Sequence, residues 1–190
     1  MKIDEKMDHG CVLSQQIIPF DRTETTESFM KKVVVIGKEQ LIKTLKDYVR
    51  GDLIPKQQDH EQATFCRMLT RENGEINWQD DAKKIERLLR AYAPWPGIWT
   101  TFVHHQKQLR LKLLAGSVSP QKTTLAPGTL FTQDGSLFIA TGEGVMQIDL
   151  LQPEGKEPMR VPSFLQGYAD ALGSILPSPE QLLSVEEKSK

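Results

Sequence analysis

Residues 79–113, QDDAKKIERLLRAYAPWPGIWTTFVHHQKQLRLKL, decide the fold of this chain, because the period of their apolar residues changes once. In the first part Ile85, Leu88, Leu89 and Tyr92 recur at i, i+3, i+4 and i+7, the stripe of an amphipathic helix opened by Gln79-Asp80-Asp81. Pro94 and Pro96 stop that helix. After Gly97 the period becomes two: Trp99 to Val103 reads as a strand, and Leu109, Leu111 and Leu113 alternate with Arg110 and Lys112. Helix periodicity groups Lys83, Lys84, Arg87 and Arg90 opposite the apolar stripe. Strand alternation likewise turns Arg110 and Lys112 away from the leucines.

Toward the C-terminus the strand-like period continues through Phe131, Leu137, Ile139, Val145, Ile148 and Leu150. Pro127-Gly128, Asp134-Gly135 and Gly142-Glu143-Gly144 mark the turns. The last of these lacks the helix and lysine of a phosphate loop and reads as a hairpin turn. Five or six short strands with one packed helix predict a small closed β-barrel of the OB type. Past Gly167, the tail Tyr168–Lys190 is weakly patterned and is expected to fray in part.

Toward the N-terminus, Ile76-Asn77-Trp78 opens the barrel domain, and Asp52 to Asn73 is polar without an apolar period, as a linker is. Before it, Thr25 caps a helix that runs to Arg50 and ends at Gly51, with Phe29, Val33, Ile36, Leu41, Leu45 and Tyr48 at helical spacing. Each such side chain gains about 1.5–3 kcal/mol only when covered. The first fifty residues contain no sheet large enough to cover them. Val12 to Phe20 reads as a short strand interrupted by Pro19, preceded by a loop at Asp8–Gly10. The expected organisation is 1–52, a linker at 53–73, the barrel at 74–167 and the tail at 168–190.

With 190 residues, 38% hydrophobic and 26% charged, and a net charge of -1, the composition is that of a globular protein. No signal peptide is visible, and no apolar run approaches the ~20 residues that span a bilayer. Cys11 and Cys66 stand far apart with no metal-ligand spacing, so free thiols in a reducing cytoplasm are expected and no metal site. Charge distribution is more informative than its sum. From Ala82 to Lys122 there are eight Lys or Arg against the single acid Glu86, and His104 and His105 lie in the same stretch. Such an excess fits a polyanion partner, and equally a basic face that is merely solvated. Trp78, Trp95 and Trp99 offer stacking surfaces for bases, although packing in a small barrel is the preferred reading for all three.

Several segments resemble methionyl-tRNA formyltransferases. They are Gly74-Glu75-Ile76-Asn77-Trp78, Arg90-Ala91-Tyr92-Ala93-Pro94-Trp95-Pro96-Gly97, the turn Pro127-Gly128-Thr129, and Leu151-Gln152-Pro153-Glu154-Gly155-Lys156 with Met159. Ile3 to Gly10 is similar to the loop that ends the catalytic half of that family, and Thr25–Arg50 to the helix after it. The resemblance covers about Met1 to Gly167, and the run around Pro94-Trp95-Pro96 is its more specific part. It implies an α+β chain, the remnant of an α/β Rossmann-like catalytic domain followed by a small OB-like barrel with one packed helix. It also implies formyl transfer from 10-formyltetrahydrofolate to the amino group of methionyl initiator tRNA. Asp8 stands where the family has its catalytic Asp, whereas the family's Asn, His and main folate segment lie upstream of what this chain contains. Arg71, Lys83, Lys84, Arg87, Arg90, Arg110 and Lys112 are the candidate tRNA contacts. Two departures stand out: Cys11 follows Gly10 where the family has Pro or Asp, and Met68 replaces a linker Lys, with Arg67 and Arg71 beside it.

Three readings follow: a formyltransferase inactive without its other half, a non-catalytic tRNA-binding OB-like module, or a truncation unable to bury its first helix. The expected protein is a cytoplasmic monomer that engages initiator tRNA, with neither a membrane nor DNA as partner.

Overall fold

Thr25 accepts from the Ser28 N–H at 3.1 Å while the Ser28 hydroxyl accepts from the Thr25 N–H at 2.9 Å. This reciprocal cap fixes the start of α1, Thr26–Arg50. Gly51 ends it at φ 78°, a left-handed conformation that glycine adopts without steric cost. The computed structural model describes residues 1–179, and the chain divides into two units, Met1–Met68 and Leu69–Lys190. Within the first, α1 is the single long element. Of its 25 residues only Thr44 is buried, and Leu41, Leu45, Val34, Val35 and Val49 are exposed, Val49 at 84%. The strand expected over Val12–Phe20 is reduced to one antiparallel bridge, Val12 to Lys56. A strand needs a neighbour for its N–H and C=O groups, and Ser14-Gln15-Gln16 break the apolar alternation that would bury one. Among the described residues no helix is long and apolar enough to cross a membrane.

The second unit is built on the stretch that changes period. Asp81 caps α2, Ala82–Tyr92, accepting from the Lys84 N–H at 2.7 Å, and Ala82, Ile85 and Leu89 are its buried residues. Six strands follow: β1 Ile98–His104, β2 Lys107–Ser119, β3 Leu130–Gln133, β4 Ser136–Ala140, β5 Val145–Pro153 and β6 Met159–Arg160. All pairings are antiparallel, in the order β1-β2-β5-β4-β3, with β6 beside β5. The end strands β1 and β3 do not pair, so the sheet is a curled half-barrel rather than the closed barrel expected. Its curl comes from β2. Residues 107–113 of that strand pair with β1 and 111–119 with β5, and the register against β5 shifts twice between Leu113 and Gly116. A two-residue turn at His105 and Gln106, both with positive φ, closes the β1–β2 hairpin, and Asp134-Gly135 closes β3–β4 as the sequence predicts.

Trp78 lies at the centre of the core, fully buried, with its indole N–H donating to the Thr100 hydroxyl at 3.2 Å and its backbone N–H to the Ser178 hydroxyl at 3.0 Å. The tail departs from expectation. α3, Val161–Gly167, leads into a 3-10 turn at Ala169–Ala171, and Phe164, Tyr168, Ala171 and Leu176 all join the core. Backbone bonds Leu130 N–H to Ser174 O and Leu176 N–H to Gly128 O stitch this segment along β3. Phe164, Tyr168 and Ala171 continue a helical spacing across Gly167, where the pattern seemed to stop. The remainder of the expected tail, 180–190, lies outside the described residues.

Two outcomes test this packing. Trp78→Ala should lower stability by about 3–5 kcal/mol in urea denaturation of the whole chain, and Trp78→Phe by clearly less, since it keeps most of the volume. Glu75 is half-buried beside its bridge to Trp99, and burial raises its carboxyl above the usual glutamate range despite the opposing pull of Arg110. The folded state thus favours the neutral acid: this contribution is full at low pH and is lost as pH rises through the raised value. Glu75→Gln should stabilise the protein at pH 7, with the gain vanishing as pH falls below the ordinary glutamate range.

Candidate functional site

Seven cations were expected to contact RNA, and the fold treats them unequally. On α2, Lys84 is paired with Asp80 at 2.7 Å and Arg90 with Glu86 at 2.6 Å, each an i,i+4 pair that cancels its charge locally. Lys83 and Arg87 are exposed, one turn apart, and make no ion pair with a described residue. Together with Val118 of β2 and Gly144 they line a shallow depression of about 230 Å³, whose acidic wall is Asp81 and Glu143.

The second group lies at the other end of β2. There Arg110 and Lys112 line a groove of about 210 Å³ whose floor is the turn Gln152–Gly155. Register explains the geometry: Lys112 faces Trp99 across the β1–β2 ladder, and Arg110 is Trp99's diagonal neighbour. The Arg110 guanidinium lies 4.3 Å over the Trp99 ring. Its backbone N–H donates to the Glu154 carboxylate at 3.1 Å, while its Nε is buried with no hydrogen-bond partner among the described residues. Arg71 joins this group, since its carbonyl accepts from the Trp99 indole N–H at 3.0 Å. Beside it, hydrogen bonds from Thr70 and its own backbone hold the Glu72 carboxyl below the usual range, assisted by Arg71 and Arg110. Lys112 is exposed and has no ion pair among the described residues. Six positions of β2 separate Lys112 from Val118, roughly 20 Å of strand. The cations therefore form two stations and not one continuous face.

The tryptophans divide as well. Trp78 and Trp99 are core residues, as preferred, whereas Trp95 is 57% exposed at the end of α2 and falls outside that expectation. The paired prolines around it hold the chain in a turn where no strand covers the ring.

Asp8 belongs to the first unit. It is exposed in a turn at φ 59°, a left-handed position that Asp tolerates better than most residues, and its carbonyl accepts from the Gln58 side chain at 2.8 Å. Gly10, two residues on, packs so closely that a Cβ there would meet the Lys2 carbonyl oxygen at 1.8 Å. Next to Asp8, the His9 ring stacks on His60 with centroids 4.2 Å apart.

One cluster escaped the sequence reading. His104 and His105 were visible only as part of a basic stretch, and the acid that meets them, Asp170, lies in the tail. Its carboxylate is within 2.8 and 3.0 Å of His104 Nδ1, and that bond chiefly holds the Asp170 carboxyl below the usual range. The spacing of Phe164, Tyr168 and Ala171 was the one signal that would have ordered this segment.

Residues 68–169 match the family model described as formyl transferase, C-terminal domain. The chain is 38% identical over 168 residues to the methionyl-tRNA formyltransferase of Roseiflexus castenholzii, covering 88% of this chain and 52% of that protein. It is also 38% identical over 169 residues to the methionyl-tRNA formyltransferase of Enterococcus faecalis, covering 88% and 53%. Among solved structures, HypX from Aquifex aeolicus in complex with tetrahydrofolic acid shares the fold at a TM-score of 0.64 and 20% identity, over 89% of this chain and 29% of that one. The chain thus spans about half the length of the curated relatives it matches. With more than half of its residues under that family model, the chain belongs to the formyl transferase family, and residues 68–169 carry its C-terminal domain.

Proposed function

We propose that this chain is the tRNA-handling part of a methionyl-tRNA formyltransferase, and that its second unit is an OB-like domain which grips initiator tRNA by phosphate contacts. The observation that carries this reading is the pair of cationic stations, Lys83 with Arg87 and Arg110 with Lys112 and Arg71, on the domain that carries the family match. A single phosphate does not reach across roughly 20 Å of strand, so the ligand is an extended polyanion. Phosphate contacts of this kind position RNA without reading its sequence. Lys84 and Arg90, already paired, contribute least.

Under the same proposal residues 1–52 are the end of a Rossmann-like catalytic domain, joined by a linker at 53–73. Asp8 is its catalytic carboxylate. In formyl transfer the amino group must lose a proton as its nitrogen bonds to the formyl carbon, and the nitrogen of 10-formyltetrahydrofolate leaves as that carbon is captured. A carboxylate at this turn helps take the proton and stabilises a neighbouring imidazolium. The exposed Asp8 leaves the remaining catalytic groups and the folate pocket to the other half of the protein. A tetrahydrofolate complex of HypX, which shares the fold, supports folate as the donor class. The second reading is a tRNA-binding module without catalysis, and it is favoured by the near-absence of a core in the first unit.

Initiator tRNA binding followed against salt by filter binding separates these ideas. Five phosphate contacts give a log–log slope of roughly −4.5, and Lys83→Glu with Arg87→Glu should reduce it by about 2 while the circular dichroism spectrum stays unchanged. A slope near zero would remove the cationic stations from the binding account. For catalysis, the chain alone should show no turnover with formyl donor and charged tRNA, and activity should appear when the N-terminal half of the Enterococcus faecalis relative is co-expressed. Asp8→Asn should then lower the restored kcat by about 10²–10⁴. If no pairing restores turnover but the salt slope holds, the binding-module reading stands.

A further inference from the structure

At the β1–β2 turn, three positions along β1 beyond the Thr101–Arg110 pair, two histidines and an acid converge from segments 65 and 66 positions apart. His104 Nδ1 lies 2.8 and 3.0 Å from the two Asp170 oxygens, and the His105 backbone N–H donates to the same carboxylate at 3.4 Å. The two imidazoles stand 4.0 Å apart, centre to centre. One donor atom from each of the three side chains lies within 4.8 Å of the others, and among the described residues no other His, Cys, Asp or Glu trio does this. His104 is held from behind by Tyr168, 4.6 Å away between centroids, and by Phe102 at 6.3 Å. His105 and Asp170 are exposed, so the open side of the cluster faces solvent.

The geometry points to a metal site: we propose that His104, His105 and Asp170 bind a zinc-class dication that ties the 3-10 turn Ala169–Ala171 to the β1–β2 hairpin. A tetrahedral zinc with bonds of about 2.0–2.1 Å keeps its ligand atoms roughly 3.3 Å apart. The His104–Asp170 contact needs to widen by a few tenths of an ångström, and the widest pair to close by about 1.5 Å relative to that spacing. Rotation of the exposed His105 and Asp170 side chains does both, with His104 as the fixed point. Two imidazoles with one carboxylate suit Zn²⁺, Co²⁺ or Ni²⁺, and offer too few oxygens for Ca²⁺ or Mg²⁺. Water from the open side fills the fourth position. For the ion to bind at Nδ1, the His104 imidazole must carry its N–H on Nε2, and the ion then takes the place of the hydrogen bond to Asp170. This site does not depend on the tRNA reading.

The test is titration of the full chain, free of any affinity tag, with Co²⁺ and Zn²⁺. Expected are saturation at one ion per chain, visible Co²⁺ bands without thiolate charge transfer, and a melting temperature that rises with Zn²⁺. His105→Ala and Asp170→Asn, both at exposed positions, should each weaken binding at least about tenfold, since even outer-shell partners of a metal ligand are worth that much. His9→Ala with His60→Ala, and Cys11→Ser with Cys66→Ser, should leave it unchanged. Absence of saturable binding, binding indifferent to both exposed variants, or loss in either control pair would overturn the proposal.

Discussion

The second unit depends on the register of one strand. β2 runs for 13 residues and serves two neighbours, β1 along 107–113 and β5 along 111–119. The second register shift against β5 falls at Gly116, where a Cβ would sit 2.5 Å from the Gln147 carbonyl oxygen. Because strand side chains alternate, this one register sends Leu111 and Leu113 into the core and Arg110 and Lys112 to the outside. A slip by a single residue would exchange them and bury two cations. Core and cationic groove are therefore one constraint seen from two sides, and Trp99, carrying the Arg110 guanidinium on its face, is where they meet.

This is also why much of the second unit was legible in the sequence. The 3.6-residue stripe of α2, the alternation of β2 and the Asp134-Gly135 turn are local patterns, and each appears where the pattern puts it. The closed barrel was not legible, because closure depends on whether β1 and β3 reach each other, which no local period encodes. The order of residues 168–176 was not legible for a related reason. Tyr168 and Leu176 bury only because α3 returns them to the sheet, and short segments with Gly167 and Gly173 carry weak patterns of their own.

Charge was partly legible. Composition counts Lys84 and Arg90 as equal to Lys83 and Arg87, yet the acids at i−4 neutralise the first two. Asp80 lies just before the helix, where its acid also favours the N-terminal dipole, so its pairing with Lys84 serves the helix before any ligand. The useful distinction is thus between cations that stabilise α2 and cations left for something else. Similarly, Asp170 was invisible as a partner of His104 because its position follows from a turn that the sequence did not announce.

The first unit presents the opposite case, a helix clear in sequence and nearly without a core. α1 has both caps and the Glu27–Lys31 pair at 2.7 Å, which together secure its ends but contribute little tertiary stability. Val34, Val35, Leu41, Leu45 and Val49 stand exposed within their own unit, a cost that a stable protein removes by covering them. Residues 1–68 provide no body large enough to bury that apolar surface. The relatives, twice as long, have the chain to supply one. The caps fix where α1 begins and ends, whereas its exposed apolar residues still need a covering surface, so the stability of the first unit is set by contacts that residues 1–68 do not make among themselves.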